Sequence, residues 1–224
     1  REKLPMNKNW KDIDLSAHEE CVMDKNKFAE NYVTVEKNVL YGSNVRFIQK
    51  SGESYVLINP PRPEPENERI DMSFDLPYTR LPHPKYNIKG GVPAYDMIRH
   101  SVTLHRGCFG GCSFCAITMH QGRRILNRSE KSILEEVKKI SDMEDFKGYI
   151  SDMGGPSANM YMMRGEDLSI CGKCSRPSCL YPRICGNLMF NHKPLFELYG
   201  KAGKINGVKK IFISSGIRYD LLLC

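Results

Sequence analysis

The stretch Ser101-Val102-Thr103-Leu104-His105-Arg106-Gly107-Cys108-Phe109-Gly110-Gly111-Cys112-Ser113-Phe114-Cys115 carries the decisive reading of this chain. Ser101–Leu104 reads as a short strand that ends at a loop with Cys-x3-Cys-x2-Cys spacing. Gly107, Gly110 and Gly111 let such a loop wrap closely around a bulky group. The loop is rich in glycine and has no apolar face, so its three thiols read as ligands and not as core. Iron–sulfur clusters are held by thiolates, and a [4Fe–4S] cluster usually takes four. A loop that supplies three leaves one iron open to an external ligand. Zinc is the alternative, and it would want a fourth donor such as His105 or His120. A disulfide plus one spare thiol fits neither the count nor a reducing compartment.

Downstream, strand and helix signals alternate. Ser129–Met143 is helical, capped by Ser129, with Ile133, Leu134, Val137 and Ile140 on one face. Gly148–Met153 reads as a second strand, Leu195–Ile205 as a second helix and Val208–Ser214 as a third strand. Ile211, Phe212 and Ile213 run without interruption and are expected to be buried on both faces. This order predicts right-handed βαβ units, a parallel sheet and the α/β fold class. A closed or partly closed barrel needs more strands, expected from sequence beyond this chain, and catalytic groups of such barrels sit at the C-terminal strand ends.

Upstream, residues 1–15 read as a linker. Ser16-Ala17-His18-Glu19 offers a capping box for a helix from Ala17 to about Asn38. Val45–Gln49 and Tyr55–Asn59 form an expected hairpin. Pro60-Pro61-Arg62-Pro63-Glu64-Pro65 is a stiff, extended connector. The main boundary is placed before His100: residues 1–99 are an appendage, and residues 100–224 are the barrel portion.

The 224 residues are 41% hydrophobic and 26% charged, which is globular composition. No apolar run is long enough to span a bilayer, and no apolar leader opens the chain. A cytoplasmic protein without a membrane partner is expected. The net charge is +7, but Lys and Arg are scattered, which argues mildly against nucleic acid and leaves an anionic substrate or cofactor compatible. The chain begins at Arg1 and ends on Leu221-Leu222-Leu223-Cys224, so it is expected to be a piece of something longer.

Nine cysteines are present. Beyond the first three, Cys171-x2-Cys174-x4-Cys179-x5-Cys185 occupies a polar insertion at 164–192. Four thiols without an apolar face favour a metal, either zinc or a second iron–sulfur cluster, with unbound thiols as the alternative. Asn191 and His192 hold a reserve ligand. Arg218, Tyr219 and Asp220 follow the third strand and read equally as substrate contacts or a rim ion pair. Met160, Met162 and Met163 read as adaptable packing before a pocket lining. His18, His83, His100 and His192 read as satisfied residues before ligands.

Cys108-x3-Cys112-x2-Cys115, with Phe114 before the third cysteine, resembles the signature of the radical S-adenosylmethionine (radical SAM) superfamily. Phe74–Arg80, Asn127–Ile133, Ile150–Met160 and Ser215–Asp220 are similar to the YgiQ family within it, so the resemblance covers nearly the whole chain as an internal fragment. It implies the N-terminal half of a partial (βα) radical SAM barrel, preceded by the helix and hairpin appendage. It also implies a [4Fe–4S] cluster on Cys108, Cys112 and Cys115, S-adenosylmethionine as cosubstrate, an electron donor as partner and an undefined substrate. The superfamily's Gly-Gly-Glu-like turn, which contacts the methionine amino group, corresponds to Gly154-Gly155-Pro156. Proline there removes the side-chain carboxylate, leaving backbone carbonyls, with Asp152 as a stand-in. Phe114 joins the expected cofactor contacts. The alternatives are a non-catalytic zinc- or iron–sulfur-stabilised binding module, and an RNA-modifying radical SAM enzyme.

Overall fold

The computed structural model describes residues 9–38, 44–60 and 67–223. The chain divides at residues 64/65 into two compact units, and 167–177 belongs with the first.

The first unit contains β1 (Lys11–Leu15), α1 (His18–Met23), α2 (Lys25–Asn38), β2 (Val45–Ser51) and β3 (Ser54–Ile58). The expected hairpin is present, with Phe47 opposite Ile58 and Ser51 opposite Ser54. Gly52 turns it at a φ of 57°. Residues 11–15, expected to be linker, instead form a strand parallel to β2, with Ile13 opposite Phe47. The ladder gives that segment backbone partners, and Arg46 secures it through Nε and Nη2 bonds of 2.9 and 2.7 Å to Asp12. The single expected helix is two, because Asp24 is extended (φ −128°, ψ 110°). The cap lies one residue later than expected. Glu20 Oε2 accepts from the Ala17 N–H at 2.8 Å, while the Ser16 N–H goes to Asn31 Oδ1. The proline connector lies mostly outside the described residues.

The second unit begins with α3 (Asn67–Phe74) and α4 (Tyr95–Ile98), followed by β4 (Ser101–Thr103), β5 (His105–Arg106), α5 (Ile117–Gln121) and β6 (Leu126–Asn127). It continues through α6 (Glu130–Ser141), β7 (Tyr149–Ile150), β8 (Asp152–Gly154) and β9 (Arg164–Gly165). After α7 (Leu168–Gly172), which sits in the first unit, come β10 (Leu188–Met189), α8 (Lys193–Ala202), β11 (Lys210–Ile211) and α9 (Tyr219–Leu222). The sequence boundary at residue 100 falls inside this unit, between α4 and β4.

The predicted alternation is present. β4 runs parallel to β8, with Val102 opposite Met153, and β7 runs parallel to β11, with Ile150 opposite Ile211. Residues 149–154 therefore carry parallel partners on both sides, β11 against β7 and β4 against β8, and no closed barrel forms among the described residues. Ser129 caps α6 by accepting from the Ser132 N–H at 3.1 Å. The apolar stripe of α6 is in the core, with Ile133, Val137 and Ile140 fully buried and Leu134 partly so. Leu195, Leu198 and Ala202 of α8 join the same core, and Tyr199 Oη donates to the Met153 carbonyl at 2.7 Å. Phe212 and Ile213, expected to be buried on both faces, are 40% and 39% exposed. β11 has one ladder partner, β7, among the described residues, so this edge is only half covered.

One buried cation joins the start of the sheet to its helices. The Arg128 side chain has no solvent exposure. Its Nη1 donates to the Thr103 carbonyl at 2.9 Å and to Glu136. Its Nη2 donates to Ser132 Oγ at 2.8 Å, and its Cζ lies 4.2 Å from the Phe74 ring centroid. Arg80 meets the other Glu136 oxygen and donates to the carbonyls of Arg99 and Ser101 at 2.9 and 2.7 Å. Arg80 has a positive φ of 56°, a strained conformation for this residue type that these bonds offset. Ser132 Oγ donates onward to Asp75 at 2.7 Å, and Asp71 accepts from the Ser129 N–H at 2.9 Å. The 74–80 and 127–133 stretches are thus joined through Glu136 in one ion-pair network. No described helix is long and apolar enough to cross a membrane.

A buried pair that loses one partner leaves the other charged and unsolvated. Arg128→Ala is expected to cost about 3–5 kcal/mol. A fall in the urea midpoint of unfolding, not restored by Arg128→Lys, checks this.

Candidate functional site

The three-cysteine loop leaves the sheet after β5 and returns through β6, where His105 pairs with Asn127 and Arg106 with Leu126. This short ladder, missed in the sequence reading, closes the base of the loop. Gly107 has a φ of 87°, and a Cβ there would lie 1.8 Å from the Arg124 carbonyl oxygen. Only glycine fits at such an approach. The Cys108 N–H donates to the Gly122 carbonyl at 3.0 Å, and Thr118 Oγ1, on α5, donates to the Cys108 carbonyl at 3.0 Å.

Cys108, Cys112 and Cys115 are half-buried. The Sγ atoms of Cys108 and Cys112 lie 3.3 and 3.8 Å from where a Gly110 Cβ would stand. The missing side chain therefore leaves a small cradle between two thiols. Cys108 Sγ also accepts from the Gly110 N–H at 3.4 Å. Burial pushes the Cys108 thiol up, and charge on Cys112 and Cys115 adds to this, while the Gly110 N–H and Arg218 pull it down. Among the described residues, no three His, Cys, Asp or Glu side chains are grouped closely enough to hold a metal ion. The loop presents three soft donors without gathering them at a point, and a side chain at Gly110 would crowd two of them. Its donor chemistry and glycine cradle fit a thiolate-held cluster.

The other two strand ends arrive at the same edge. A Cβ on Gly154 would fall 2.0 Å from Ser215 Oγ, and one on Gly155 would fall 2.7 Å from His105 Nε2. Both glycines therefore answer to close tertiary neighbours. Asp152, considered for a cofactor contact, accepts from the N–H groups of Ser214 and Ser215 at 2.8 and 3.1 Å and from Ser215 Oγ at 2.6 Å. Phe114 is 90% exposed.

Arg218 and Asp220 form an ion pair, with Nε to Oδ1 at 3.0 Å and a second contact from Nη2 to Oδ2. The pair holds Asp220 below the usual carboxylate range. Arg218 Nη1 also donates to Cys112 Sγ at 3.2 Å, a contact missed from sequence because 106 residues separate the two. Asn159 clamps the Arg218 backbone by accepting from its N–H at 2.8 Å and donating to its carbonyl at 2.9 Å. His192 Nε2 lies 3.2 Å from Asn159 Nδ2. Met160 and Met163 are core residues, and Met162 is exposed. His83 accepts from the Lys85 N–H, and His100 is buried against Phe146.

Cys171 and Cys174 belong to the first unit and Cys179 and Cys185 to the second, and each pair is tied within itself. The Cys174 N–H reaches the Cys171 carbonyl at 3.2 Å, and the Cys185 N–H reaches the Cys179 carbonyl at 2.8 Å. Ser178 fastens the second pair to the first loop. Its buried hydroxyl donates to the Gly110 carbonyl at 2.6 Å and accepts from the Leu180 and Tyr181 N–H groups. The Cys179 N–H adds a bond to the Phe109 carbonyl, and Cys108 and Cys179 flank one apolar cluster around Phe109 and Leu180. A lone serine in a polar insertion carried no signal of this role.

A family model described as Radical SAM N-terminal matches residues 2–101. A UPF0313 protein of Bacteroides thetaiotaomicron is 55% identical over 212 residues, covering 95% of this chain and 34% of that protein. One from Porphyromonas gingivalis is 54% identical over 212 residues, covering 95% and 33%. One from Clostridium botulinum strain 657 is 44% identical over 213 residues, covering 94% and 33%. The chain spans about a third of the length of these curated relatives.

His105 lies under this edge. Burial lowers its pKa to about 4, and Nε2 lies 3.0 Å from the Ser157 carbonyl oxygen. The unfolded imidazole takes up its proton near 6.5, before the folded one does, so its contribution is complete above pH 6.5 and is lost as pH falls toward 4. The expected loss is on the order of 3 kcal/mol. Urea unfolding at pH 7 and pH 4.5 measures it, and His105→Gln should flatten that part of the acid dependence.

Proposed function

Because this chain belongs to the UPF0313 family of radical SAM proteins, we propose that it is the cluster-bearing part of an enzyme that reductively cleaves S-adenosylmethionine. The carrying observation is the three-thiol loop at the C-terminal edge of a parallel sheet, with the Gly110 cradle between Cys108 and Cys112. Held there, a [4Fe–4S] cluster reduced by an electron donor would supply one electron and an open iron site, the chemistry by which S-adenosylmethionine gives methionine and a 5′-deoxyadenosyl radical.

Cys108, Cys112 and Cys115 are the proposed ligands. Gly107 and Gly122–Arg124 shape the loop that presents them. Gly154 and Gly155 bring backbone to the same edge, where their carbonyls would accept from the amino group of S-adenosylmethionine. One constraint applies: the Gly154 carbonyl already accepts from the Leu104 N–H at 2.7 Å, so Gly155 is the better candidate. Asp152 is committed to Ser214 and Ser215, and we assign it to shaping the third strand end. Phe114, on the exposed side of the loop, is assigned to cover the cofactor. We further propose a cytoplasmic enzyme with an electron donor as partner and, on spacing alone, zinc or a second iron–sulfur cluster for Cys171, Cys174, Cys179 and Cys185.

The test uses the full-length protein, reconstituted without oxygen. Wild type is expected to turn brown, to carry iron and sulfide, and to release 5′-deoxyadenosine from S-adenosylmethionine under dithionite. Cys108→Ala, Cys112→Ala and Cys115→Ala should each reduce cleavage at least 100-fold. A colourless protein that takes up only zinc at the three-cysteine loop would sink the proposal in favour of a zinc-stabilised binding module.

A further inference from the structure

We propose that Arg218 is a positioning residue for the three-cysteine loop, through the hydrogen bond that its Nη1 donates to Cys112 Sγ. The proposal rests on the reading of that loop as a cluster site.

Three observations carry it. The first is the contact itself: Nη1 lies 3.2 Å from Cys112 Sγ and 3.3 Å from the Cβ point of Gly110, so it borders the cradle. The second is how firmly the residue is held. Asn159, 3% exposed, bonds both its N–H and its carbonyl, and Asp220 takes up Nε and Nη2. Nη1 is the arm of the guanidinium directed at sulfur. The third is selectivity: Cys108 Sγ accepts from a neutral backbone N–H, whereas Cys112 Sγ accepts from a cation. The loop is therefore electrically unequal along its length.

Hydrogen bonds to ligand sulfurs and local net charge set the potentials of iron–sulfur clusters. A cationic donor on Cys112 stabilises the more negative, reduced form and raises the midpoint potential. Asp220 opposes this by placing a carboxylate behind the same guanidinium. The two residues act with opposite signs. A bare charge near the cluster would give the same opposite signs, so Arg218→Lys, which keeps the charge and loses the Nη1 donor, separates the bond from the charge.

The experiment is a redox titration followed by electron paramagnetic resonance on the reconstituted full-length protein, with iron content measured for each sample. Relative to wild type, Arg218→Gln is expected to lower the midpoint potential, Arg218→Lys to lower it less, and Asp220→Asn to raise it. Opposite shifts in Arg218→Gln and Asp220→Asn, together with a lowered potential in Arg218→Lys at comparable iron content, establish the role. Equal potentials in all four proteins, or shifts of the same sign in Arg218→Gln and Asp220→Asn, overturn it. If Arg218→Gln does not fold, Arg218→Lys and Asp220→Asn decide the matter by the same signs. A wild-type protein that takes up no cluster overturns the loop assignment and this inference with it. A loaded wild type with unresponsive variants overturns this inference alone.

Discussion

A guanidinium with no access to water must have every donor met, and Arg128 imposes that requirement on the second unit. Its partners come from the end of β4, the first turns of α6 and the end of α3. None of these can shift without stranding a buried charge. The pair with Glu136 is not a source of net stability by itself, since both ions gave up hydration to form it. Its effect is selective, because it penalises arrangements in which α3, α6 and the sheet are not assembled together. The Arg128 backbone extends the constraint: its N–H donates to the Leu104 carbonyl, and its own carbonyl accepts from Tyr161 Oη at 3.1 Å. Leu104 lies immediately before β5, so the root of the cysteine loop inherits its position from this network.

From that root, the candidate site is the joint product of three strand ends. The cysteine loop follows β5, Gly154-Gly155 ends β8, and Ser214–Arg218 follows β11. Close approaches join them: Ser215 against Gly154, His105 against Gly155, and Arg218 against Cys112. Asp152 gathers the third segment by taking its N–H groups. Two of these joints require glycine because a neighbouring side chain occupies the space a Cβ would need. The Gly-Gly-Pro turn is thus shaped by packing before any ligand is considered.

Arg128 and Arg218 show one side chain used in two ways. Arg128 is surrounded by oxygen acceptors and an aromatic face and has nothing left to offer a ligand. Arg218 is partly exposed, is held by one carboxylate and an asparagine-clamped backbone, and directs its remaining arm at a thiol. The first fixes architecture, and the second is directed at the cysteine loop.

Most of the regular elements and the spacing of the cysteines were legible in the chain itself. The βαβ alternation, the Ser129 cap, the buried face of α6, the 45–58 hairpin and the Cys-x3-Cys-x2-Cys loop were all legible, because periodicity, capping and ligand spacing are local properties. What was not legible depends on partners distant in the chain. Residues 11–15 became a strand because β2 lies beside them, and Phe212 and Ile213 stayed partly exposed because β7 is the one ladder partner of β11 among the described residues. The sequence could show that Arg128, Glu136, Arg80, Ser178 and Arg218 were polar, but not which of them would be buried or against what. The fold settles that, since the cost of burying a charge or hydroxyl, and therefore its role, depends on which acceptors come within hydrogen-bonding distance.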